Sequence, residues 1–399
     1  MQEISERLAG EGHNVSVYTT NAADIDYFFS DARVSVLDAP FREIIHNVNV
    51  TRWKILHPPF RKLLLSAIAM LPQWQTKCLF HPYQMLVPQL LSKSLREKGF
   101  DVVHATASPF TSLLFMGYNF AKTNNIPYIL TPFIHLGEEG DVVIRREHTK
   151  QHQLKLLRKA DALLVQTRSE GDFLAQSGNP EERIYHVGVG VNPNELAGGN
   201  GKRFRNLYSV SDEEKLLGHI ARLDAHKGTL QLLEALQILL VENRKVKAVL
   251  LGKPTPDFKK NWMRIPEIIK KNCIVLDYLD EEGKNDMLDA IDIFVMPSRV
   301  ESFGIVYLES WLNRKPVIGA DTTATREVIA DGEDGFLVKF GDARALAEKI
   351  SFLLDHPEVG NRMGEHGYKK TITQHTWDKK YTLIKSVYSG VINRFPKRI

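Results

Sequence analysis

The stretch IDIFVMPSRVESFGIVYLES, residues 291–310, indicates the fold of the second half of the chain. Its first six residues are mostly apolar, as in a buried strand, and its last six begin a predicted helix. Gly304 lies between them, where a residue without a side chain lets the backbone come close to a ligand. A strand, a short loop and a helix in this order form the repeating unit of a parallel α/β sheet.

Two acids, Glu301 and Glu309, lie on either side of Gly304 with seven residues between them. Glu301 falls in the loop at the carboxyl edge of the predicted sheet, whereas Glu309 lies more than one turn inside the helix. We therefore expect the two carboxylates to bind different parts of one extended ligand. The free amides of Phe303, Gly304 and Ile305 would face the same ligand. Without a ligand, Glu301 would cap the loop and Glu309 would lie on a solvated helix face.

Short β-branched runs alternate with helical segments along the whole chain, which predicts parallel doubly wound sheets. The pattern occurs twice, so we expect an α/β protein of two such domains. They should face each other across a cleft, where ligands meet the carboxyl ends of both sheets. The predicted strands are residues 15–19, 34–37, 101–105, 127–131 and 162–167 in the first half and residues 216–221, 246–252, 273–276, 291–296 and 316–320 in the second.

A Gly- and Asn-rich run, AGGNGKR at residues 197–203, predicts the linker between the two domains. The first domain is then expected over residues 1–196 and the second over residues 204–375. The amphipathic segment 376–399 has no following strand, and we expect it to cross back to the first domain.

The beginning of the chain, residues 4–10, predicts a helix that runs into a strand. In a doubly wound domain that helix should connect from an earlier strand, because parallel neighbours need a crossover connection. The first strand is usually central, and each backbone group that its loss leaves buried and unpaired costs about 1–3 kcal/mol. We therefore expect that this first strand is missing, and that the natural gene product begins upstream of Met1 with an apolar strand and a glycine-containing loop.

The composition excludes several classes of protein. With 399 residues, 43% hydrophobic and 25% charged, the chain has the make-up of an ordinary soluble globular protein. Its two cysteines, Cys78 and Cys273, form no disulfide or metal-binding pattern, and the net charge of +4 gives no sign of nucleic-acid binding. No apolar run is long enough to span a bilayer and no secretory signal is recognisable, so we expect a cytoplasmic protein.

Two basic residues, Arg222 and Lys227 in IARLDAHKG, follow the first predicted strand of the second domain. At this position a doubly wound domain binds phosphate through helix amides and the positive end of the helix dipole. A guanidinium and an ammonium would suit a diphosphate that becomes an anionic leaving group. A solvated pair of basic side chains fits the sequence equally well.

Four features together resemble the retaining GT-B glycosyltransferases of the sucrose-synthase and phosphatidylinositol-mannosyltransferase type. They are the E-x7-E pattern of Glu301 and Glu309, the spacing of Arg222 and Lys227, the run VGVGVNPNEL and the run DGEDGFLV. The resemblance covers almost the whole chain. It implies a hexosyltransferase that moves a sugar from a nucleotide-diphosphate sugar to a glycan or lipid-linked acceptor, with retention of configuration and without a metal or other cofactor.

The resemblance also implies roles for single residues. Arg222 and Lys227 would hold the nucleotide diphosphate. Glu301 and the amides of residues 303–305 would hold the transferred sugar, and Glu309 would bind the nucleoside ribose. Loss of one charged contact to the departing diphosphate should then raise the barrier by roughly 3 kcal/mol.

His135, in TPFIHLGEE, follows the predicted strand PYILT. It resembles the family histidine that reaches the sugar near the reacting carbon, and on this ground we predict His135 and Glu301 as the catalytic residues. The alternative is a structural histidine, which is the commoner role of a lone histidine after a strand.

Two other groups of acids have patterns close to a metal-binding DxD motif. The acids of DID, Asp24 and Asp26, stand alone and far in sequence from the expected donor site, so we interpret them as a solvated loop. Asp289 and Asp292 are spaced DxxD at the start of a core strand, and we interpret them as structural.

The chain departs from the family in two places. The family's first strand and its glycine-rich loop, which would help to seat donor phosphate and acceptor, should precede Met1. In addition, GADTTATREVI has Thr322 to Thr325 where relatives often have a Gly-Gly-x-Pro turn. The first departure bears on activity and the second affects only a loop.

The acceptor side is indicated by residues 51–86, a stretch rich in Trp, Leu and Phe that contains no acid. Such a stretch can lie on an anionic membrane surface, which would place the protein at the inner face of the membrane beside a lipid-linked acceptor. Helices packed against the first domain explain the stretch equally well. Its basic residues are Arg52, Lys54, Arg61, Lys62 and Lys77.

Other functions remain open on this architecture. A nucleotide-sugar epimerase or a glycogen-type phosphorylase would use a similar fold, although no motif for a pyridoxal-phosphate lysine is recognisable. A truncated or degenerate nucleotide-sugar-binding protein is the alternative that is not an enzyme. The sequence names neither the base, the sugar nor the acceptor.

Overall fold

The computed structural model describes residues 1–23, 41–80, 84–87, 99–108, 110–138, 141–196 and 198–395. The predicted strand 34–37 and the acids Asp24 and Asp26 lie outside these residues. The chain divides into two compact units. Unit 1 consists of Met1–Leu136, Val143–Val187 and Tyr381–Ile399, and unit 2 of Gly137–Val142 and Gly188–Lys380.

The elements up to Val187 alternate between strands and helices. The strands are β1 (Ser16–Thr20), β2 (Arg42–Ile45), β3 (Val48–Trp53), β4 (Val103–Thr106), β5 (Tyr128–Thr131), β6 (Ala162–Val165) and β7 (Ile184–His186). The helices are α1 (Gln2–Gly10), α2 (Arg61–Ala69), α3 (Trp74–Phe80), α4 (Thr111–Asn124), α5 (Val142–His148), α6 (Gln151–Leu157) and α7 (Arg168–Gln176).

The elements after Val187 follow the same alternation. The strands are β8 (Lys215–Ile220), β9 (Val246–Leu251), β10 (Cys273–Leu276), β11 (Ile293–Met296), β12 (Val317–Ala320) and β13 (Gly335–Val338). The helices are α8 (Pro193–Leu196), α9 (Gly201–Leu207), α10 (Thr229–Val241), α11 (Pro256–Trp262), α12 (Glu267–Lys271), α13 (Glu281–Ala290), α14 (Ile305–Leu312), α15 (Thr323–Arg326), α16 (Ala343–Asp355), α17 (Pro357–Gln374) and α18 (Trp377–Ile392).

Unit 1 contains two sheets among its described residues. β4, β5, β6 and β7 form a parallel sheet in that order, while β1, β3 and β2 form a second sheet in which β2 runs antiparallel to β3. The antiparallel pair was not predicted. Its two-residue turn uses His46 and Asn47 with φ of 46° and 64°, a hairpin turn that the sequence signals weakly because it lacks glycine. The prediction of a strand before α1 stays a prediction.

A buried histidine connects the second half of α18 to the strands of unit 1. The ring of His104 in β4 lies 2.6 Å from the Tyr388 hydroxyl through Nδ1 and 2.8 Å from Thr131 Oγ1 through Nε2. Burial lowers the pKa of His104 to about 3, so the ring is neutral and the two hydrogen bonds satisfy it. These bonds fix α18 against β4 and β5.

Unit 2 is built on one parallel sheet of six strands in the order β10-β9-β8-β11-β12-β13. Helices cover both faces, as alternate residues of β11 show. Val295 packs with Leu236 of α10 and Ile350 of α16, whereas Phe294 and Met296 pack on the opposite face with α14. β13 was not predicted, because GFLV is short and follows a run of turn residues.

The segment predicted as a linker, residues 197–203, contains the start of α9 at Gly201. Asn200 caps this helix by accepting from the backbone amide of Arg203 at 3.0 Å. A Cβ at Gly201 would lie 2.9 Å from the backbone of Ala290, so glycine is needed because α9 packs closely on α13. The run therefore has a defined structure from residue 198 onward.

Residues 51–86 are divided between the interior and the surface. Arg61 is buried and donates to the backbone oxygen of Gln84, and Arg52 is paired with Glu43. These two guanidinium groups therefore add little free positive charge to the surface, which corrects part of the charge argument made from the sequence. Lys54 remains exposed. None of the described helices is long and apolar enough to cross a lipid bilayer.

Gly367 of α17 lies directly against the indole ring of Trp311 in α14, where an added Cβ would be 2.1 Å from the ring. We expect Gly367→Ala to lower the free energy of unfolding by about 1–3 kcal/mol, because the close-packed helices must separate. Gly360→Ala in the same helix is the matched control, since its Cβ would lie 3.4 Å from Pro316 in ordinary contact. The control should be neutral or stabilising by up to about 1 kcal/mol. Urea unfolding measures both, and equal stability of the two variants would contradict the packing argument.

Candidate active site

The strand order of unit 2 reverses between β8 and β11. Chain order runs from β8 outward through β9 to β10, then returns to β11 beside β8 and continues outward through β12 to β13. The helices that follow these two strands, α10 and α14, pack on opposite faces of the sheet, an arrangement that places a crevice at the carboxyl ends of β8 and β11. In open α/β sheets, ligands bind at such a point.

Two predicted site residues from these loops are in direct contact. Lys227, in the loop after β8, donates from Nζ to Glu301 Oε1 at 2.6 Å and to the backbone oxygen of Val300 at 3.0 Å. Glu301 lies in the loop after β11, and its side chain is 10% exposed. The backbone of Arg299 also donates to the backbone oxygen of His226 at 2.8 Å. The two loops are thus joined at the edge of the sheet.

Asp224 organises the loop after β8 and was missed in the sequence. Its Oδ2 accepts from Arg222 Nε at 2.8 Å, and its Oδ1 accepts from the backbone amide of Lys227 at 2.9 Å. Asp224 is buried, whereas the Arg222 side chain is 58% exposed. One carboxylate therefore positions both of the residues that were predicted to bind a diphosphate, Arg222 and Lys227. An Asp three residues before the loop lysine is the signal that could have identified it.

Gly228 begins helix α10 in the left-handed region, with a φ of 75°. A Cβ there would lie 2.3 Å from the backbone oxygen of Pro297, which starts the loop after β11. The close approach of the two loops therefore requires glycine at this position. No side chain caps the start of α10. The amide of Thr229 donates to the backbone oxygen of Asp224 at 3.4 Å, which leaves the next amides of the first turn to an anion.

Helix α14 begins in the same way. Gly304 has a φ of 86°, and no side chain caps the helix. The Phe303 side chain is buried and packs edge-to-face on His375 with ring centroids 5.5 Å apart. Ile305 is partly exposed. Of residues 303–305, the backbone amides rather than the side chains can thus bind a polar ligand.

Glu309 lies inside α14, away from the Lys227 and Glu301 pair. Its Oε1 accepts from Lys284 Nζ at 2.9 Å, and its side chain is 11% exposed. It lines a small pocket that is open to solvent and whose lining does not include Glu301. The two acids therefore occupy different places, as the spacing predicted. The pocket is lined by Gly190, Val191, Asn192, Glu195, Leu196, Glu281, Lys284, Ile305, Glu309 and Trp377.

His219 lies fully buried in β8 below the crevice and was also missed. Its Nδ1 is 2.8 Å from the backbone oxygen of Val295 in β11, and its Nε2 is 3.0 Å from Thr229 Oγ1 at the start of α10. Burial lowers the pKa of His219 to about 4, and the charge of Lys227 acts in the same direction. The neutral ring thus ties together the three elements that carry the site.

His135 belongs to unit 1, in the loop after β5. Its backbone amide donates to His148 Nδ1 at 3.4 Å, and the two rings lie edge-to-face with centroids 5.0 Å apart. Burial lowers the pKa of His148 to about 3, so this partner is neutral. Phe133, two residues earlier, has a φ of 52°, a backbone strain that is common in loops of functional sites.

Glu170 holds the loop of His135 in place. This buried carboxylate accepts from the backbone amides of Ile134 and Gln166, each at 2.8 Å. It therefore links the loop after β5 to the end of β6. The T-x-x-E spacing of Thr167 and Glu170 marks a helix start and could have drawn attention to this acid, but it was not identified.

The DxxD acids make structural contacts. Asp289 accepts from the backbone amide of Gly201 at 2.7 Å, and Asp292 accepts from Arg205 at 2.8 Å and from the backbone amide of Leu216 at 2.8 Å. Among the described residues, no group of three His, Cys, Asp or Glu side chains is arranged to hold a metal ion.

Two models of glycosyltransferase families match the chain. Residues 202–370 match the family described as Glycosyl transferases group 1, and residues 1–190 match the family described as Glycosyl transferase 4-like domain. Together these matches leave few residues uncovered, and the chain belongs to the GT-B glycosyltransferases. The GT-B glycosyltransferase family that was recognised from the sequence is confirmed, whereas retention of configuration stays a prediction.

Curated relatives are similar to the chain over different lengths. D-inositol 3-phosphate glycosyltransferase of Corynebacterium glutamicum is 27% identical over 252 residues, which cover 60% of this chain and 59% of that protein. N-acetyl-alpha-D-glucosaminyl L-malate synthase of Bacillus anthracis is 23% identical over 398 residues, which cover 98% of this chain and 92% of that protein. The match to the first of these spans less than two thirds of its length.

Solved structures show the same fold. Sucrose-phosphate synthase from Thermosynechococcus elongatus has a TM-score of 0.75 at 17% identity and covers 98% of this chain and 92% of its own. Anabaena HepE in complex with UDP-glucose has a TM-score of 0.65 at 18% identity and covers 86% of this chain and 87% of its own. At these identities the likeness concerns the fold alone, and it confirms the predicted GT-B class of Rossmann-like halves.

The burial of His219 predicts a pH dependence of stability. The pKa is lowered from 6.5 to about 4, so the fold favours the neutral ring. Its contribution is therefore fully present above pH 6.5 and is lost as the pH falls towards 4, by about 3 kcal/mol in total. We expect His219→Gln to reduce the slope of unfolding free energy against pH in this range. Urea unfolding between pH 4 and pH 7.5 measures the slope, and an unchanged slope would show that His219 does not titrate with unfolding.

Proposed function

We propose that the protein transfers a hexose from a nucleotide-diphosphate sugar to a glycan or lipid-linked acceptor, with retention of anomeric configuration. The observation that carries the proposal is the contact of Lys227 with Glu301 at the point where the strand order of unit 2 reverses. Two uncapped helix starts, at Gly228 and Gly304, lie in the same two loops. A cation beside free amides suits a diphosphate, and a carboxylate beside it suits sugar hydroxyls.

In this proposal each residue acts on one part of the donor. Arg222 and Lys227 bind the diphosphate and stabilise the negative charge that develops as it leaves. Glu301 accepts hydrogen bonds from the transferred sugar, and the amides of residues 303–305 bind the same sugar. Glu309 accepts from the ribose. Because the fixed cations and amides supply the positive charge, we propose that the reaction needs no metal.

We propose His135 as the second catalytic residue. Its loop is held by Glu170 and His148, and Phe133 in the same loop has a φ of 52°. Such restraint suits a group whose position must be fixed before the sugar binds. In a retaining transfer the acceptor attacks the face from which the diphosphate leaves.

We further propose that unit 1 meets its acceptor at an anionic membrane surface. Five large apolar side chains in and beside α2 are exposed, and the most exposed are Phe60 at 80%, Leu63 at 71% and Met70 at 83%. Lys62 lies exposed among them. An exposed apolar helix with a basic residue can enter the headgroup region of an anionic bilayer. We propose no nucleic-acid partner.

Lys227→Met should weaken the binding of UDP by about 1.5–3 kcal/mol, because a charge-assisted contact to the diphosphate is lost, while the affinity for uridine changes little. UDP is chosen because a solved neighbour is named with UDP-glucose. Lys245→Met is the matched control, since that lysine pairs with Glu213 just before β9, at the opposite end of the strands. Calorimetry with UDP, GDP, ADP and uridine on the folded proteins provides the measurement, and equal losses for UDP and uridine would contradict a role of Lys227 at the diphosphate.

Transfer itself is tested by supplying UDP-glucose with and without sugar and lipid acceptors. The expected product is an α-glycoside, identified by NMR of its anomeric proton. Conversion of the nucleotide sugar to an isomer without an acceptor would support an epimerase instead. Binding of the donor without any turnover would support the binding-protein alternative.

The membrane proposal predicts that the protein sediments with vesicles containing anionic lipid. Binding should fall with added salt, because exposed charges are screened beyond about 10 Å at moderate ionic strength. Met70→Ser should weaken vesicle binding. Met263→Ser should not, and it is the control because Met263 is a methionine of unit 2 that is 74% exposed. Equal binding to neutral and anionic vesicles, or equal loss in both variants, would contradict the assignment of this surface.

A further inference from the structure

Lys284 on α13 is a charged residue at the candidate site to which neither the sequence nor the proposed mechanism gives a role. Its ammonium donates to Glu309 Oε1 at 2.9 Å. The two side chains are 27% and 11% exposed, so the pair is largely removed from water. Within the described residues, Lys284 is the sole hydrogen-bond partner of the Glu309 carboxylate.

The pocket beside this pair has an unusual charge balance. Its lining contains three acids, Glu195, Glu281 and Glu309, and Lys284 is the one basic residue among the described residues that line it. Glu195 already accepts from Asn192 at 2.6 Å. Removing a carboxylate from water is costly unless a cation pairs with it. Lys284 supplies that cation for Glu309.

The position of Lys284 is fixed by its helix. Asp280 caps α13 by accepting from the backbone amide of Gly283 at 2.8 Å. The next residue, Asn285, donates to the backbone oxygen of Glu195 at 2.6 Å. The backbone that carries Lys284 is therefore anchored on both sides of this residue, and its ammonium is held by Glu309.

We propose that Lys284 is a positioning and specificity residue for the ribose of the donor. The inference rests on the proposed function, in which Glu309 binds that ribose. Lys284 uses one of its three N–H donors to hold Oε1, which leaves Oε2 to accept from one ribose hydroxyl. A second ammonium N–H donates to the oxygen of the neighbouring hydroxyl. Since each hydroxyl both donates and accepts, a carboxylate paired with an ammonium matches a vicinal diol and discriminates against 2′-deoxyribose.

The test compares three ligands by calorimetry: UDP, 2′-deoxy-UDP and inorganic pyrophosphate. Wild type should bind UDP at least about tenfold more tightly than 2′-deoxy-UDP, because the deoxy sugar leaves a charged partner unsatisfied. Lys284→Met should weaken UDP binding by about tenfold or more, weaken 2′-deoxy-UDP binding less, and leave pyrophosphate binding unchanged. Lys284→Arg should recover part of the loss. Lys270→Met is the matched control, because Lys270 pairs with Glu267 at 2.8 Å on α12, outside the pocket.

The results that overturn the proposal are distinct from failure of the proposed function. Wild type that binds UDP and 2′-deoxy-UDP equally overturns it without any variant, so an unfolded Lys284→Met would not prevent a decision. Equal losses for UDP and pyrophosphate would also overturn it, since Lys284 would then act as a general positive charge. If wild type binds none of UDP, GDP and ADP, the proposed function itself fails. If wild type binds UDP and a folded Lys284→Met variant binds it with equal affinity, the role of Lys284 is wrong but the proposed function is not.

Discussion

The parallel pairing of β8 with β11 is the constraint on which the site of unit 2 depends. Ile293 lies opposite Leu217 and Phe294 opposite Gly218, so two strands far apart in sequence end side by side. Because the chain leaves β8 towards one side of the sheet and β11 towards the other, the loops after them border a crevice. The ion pair of Lys227 with Glu301 and the two glycine helix starts follow from this arrangement. No local interaction could bring these residues together without it.

Buried polar groups convert this arrangement into a rigid one. Asp224 binds the side chain of Arg222 and the backbone of Lys227, and His219 joins β8, β11 and α10. In unit 1, Glu170 acts in the same way on the loop that carries His135. Each group is buried and satisfied by hydrogen bonds, so displacing a loop leaves an unpaired polar atom at a cost of about 1–3 kcal/mol. These residues fix the loops before any ligand binds.

The parts of the fold that follow from local patterns could be predicted. β8, β9, β10 and β12 were placed within one residue of their ends, because continuous apolar runs bounded by turn residues are typical of strands buried on both faces. β2 and β3 were missed, since Arg42–Ile45 and Val48–Trp53 mix polar and apolar residues and pair around a turn without glycine. The sequence overestimated the free positive charge of residues 51–86, because Arg61 is buried and Arg52 is paired with Glu43. Whether a charge is free is a property of its neighbours in space.

By itself, the sequence determined the alternation of strands and helices, the glycine at 304, and the separation of Glu301 from Glu309 along the chain. These depend on composition and spacing over a few residues. Only the tertiary structure decided which residues meet: Lys227 with Glu301 across 74 positions of sequence, and Lys284 with Glu309 across 25. The physical reason is that strand order and helix packing select the partner of a side chain. They bring together residues whose contact no local sequence pattern predicts. The same packing decides which charges lose water and so need a partner at all.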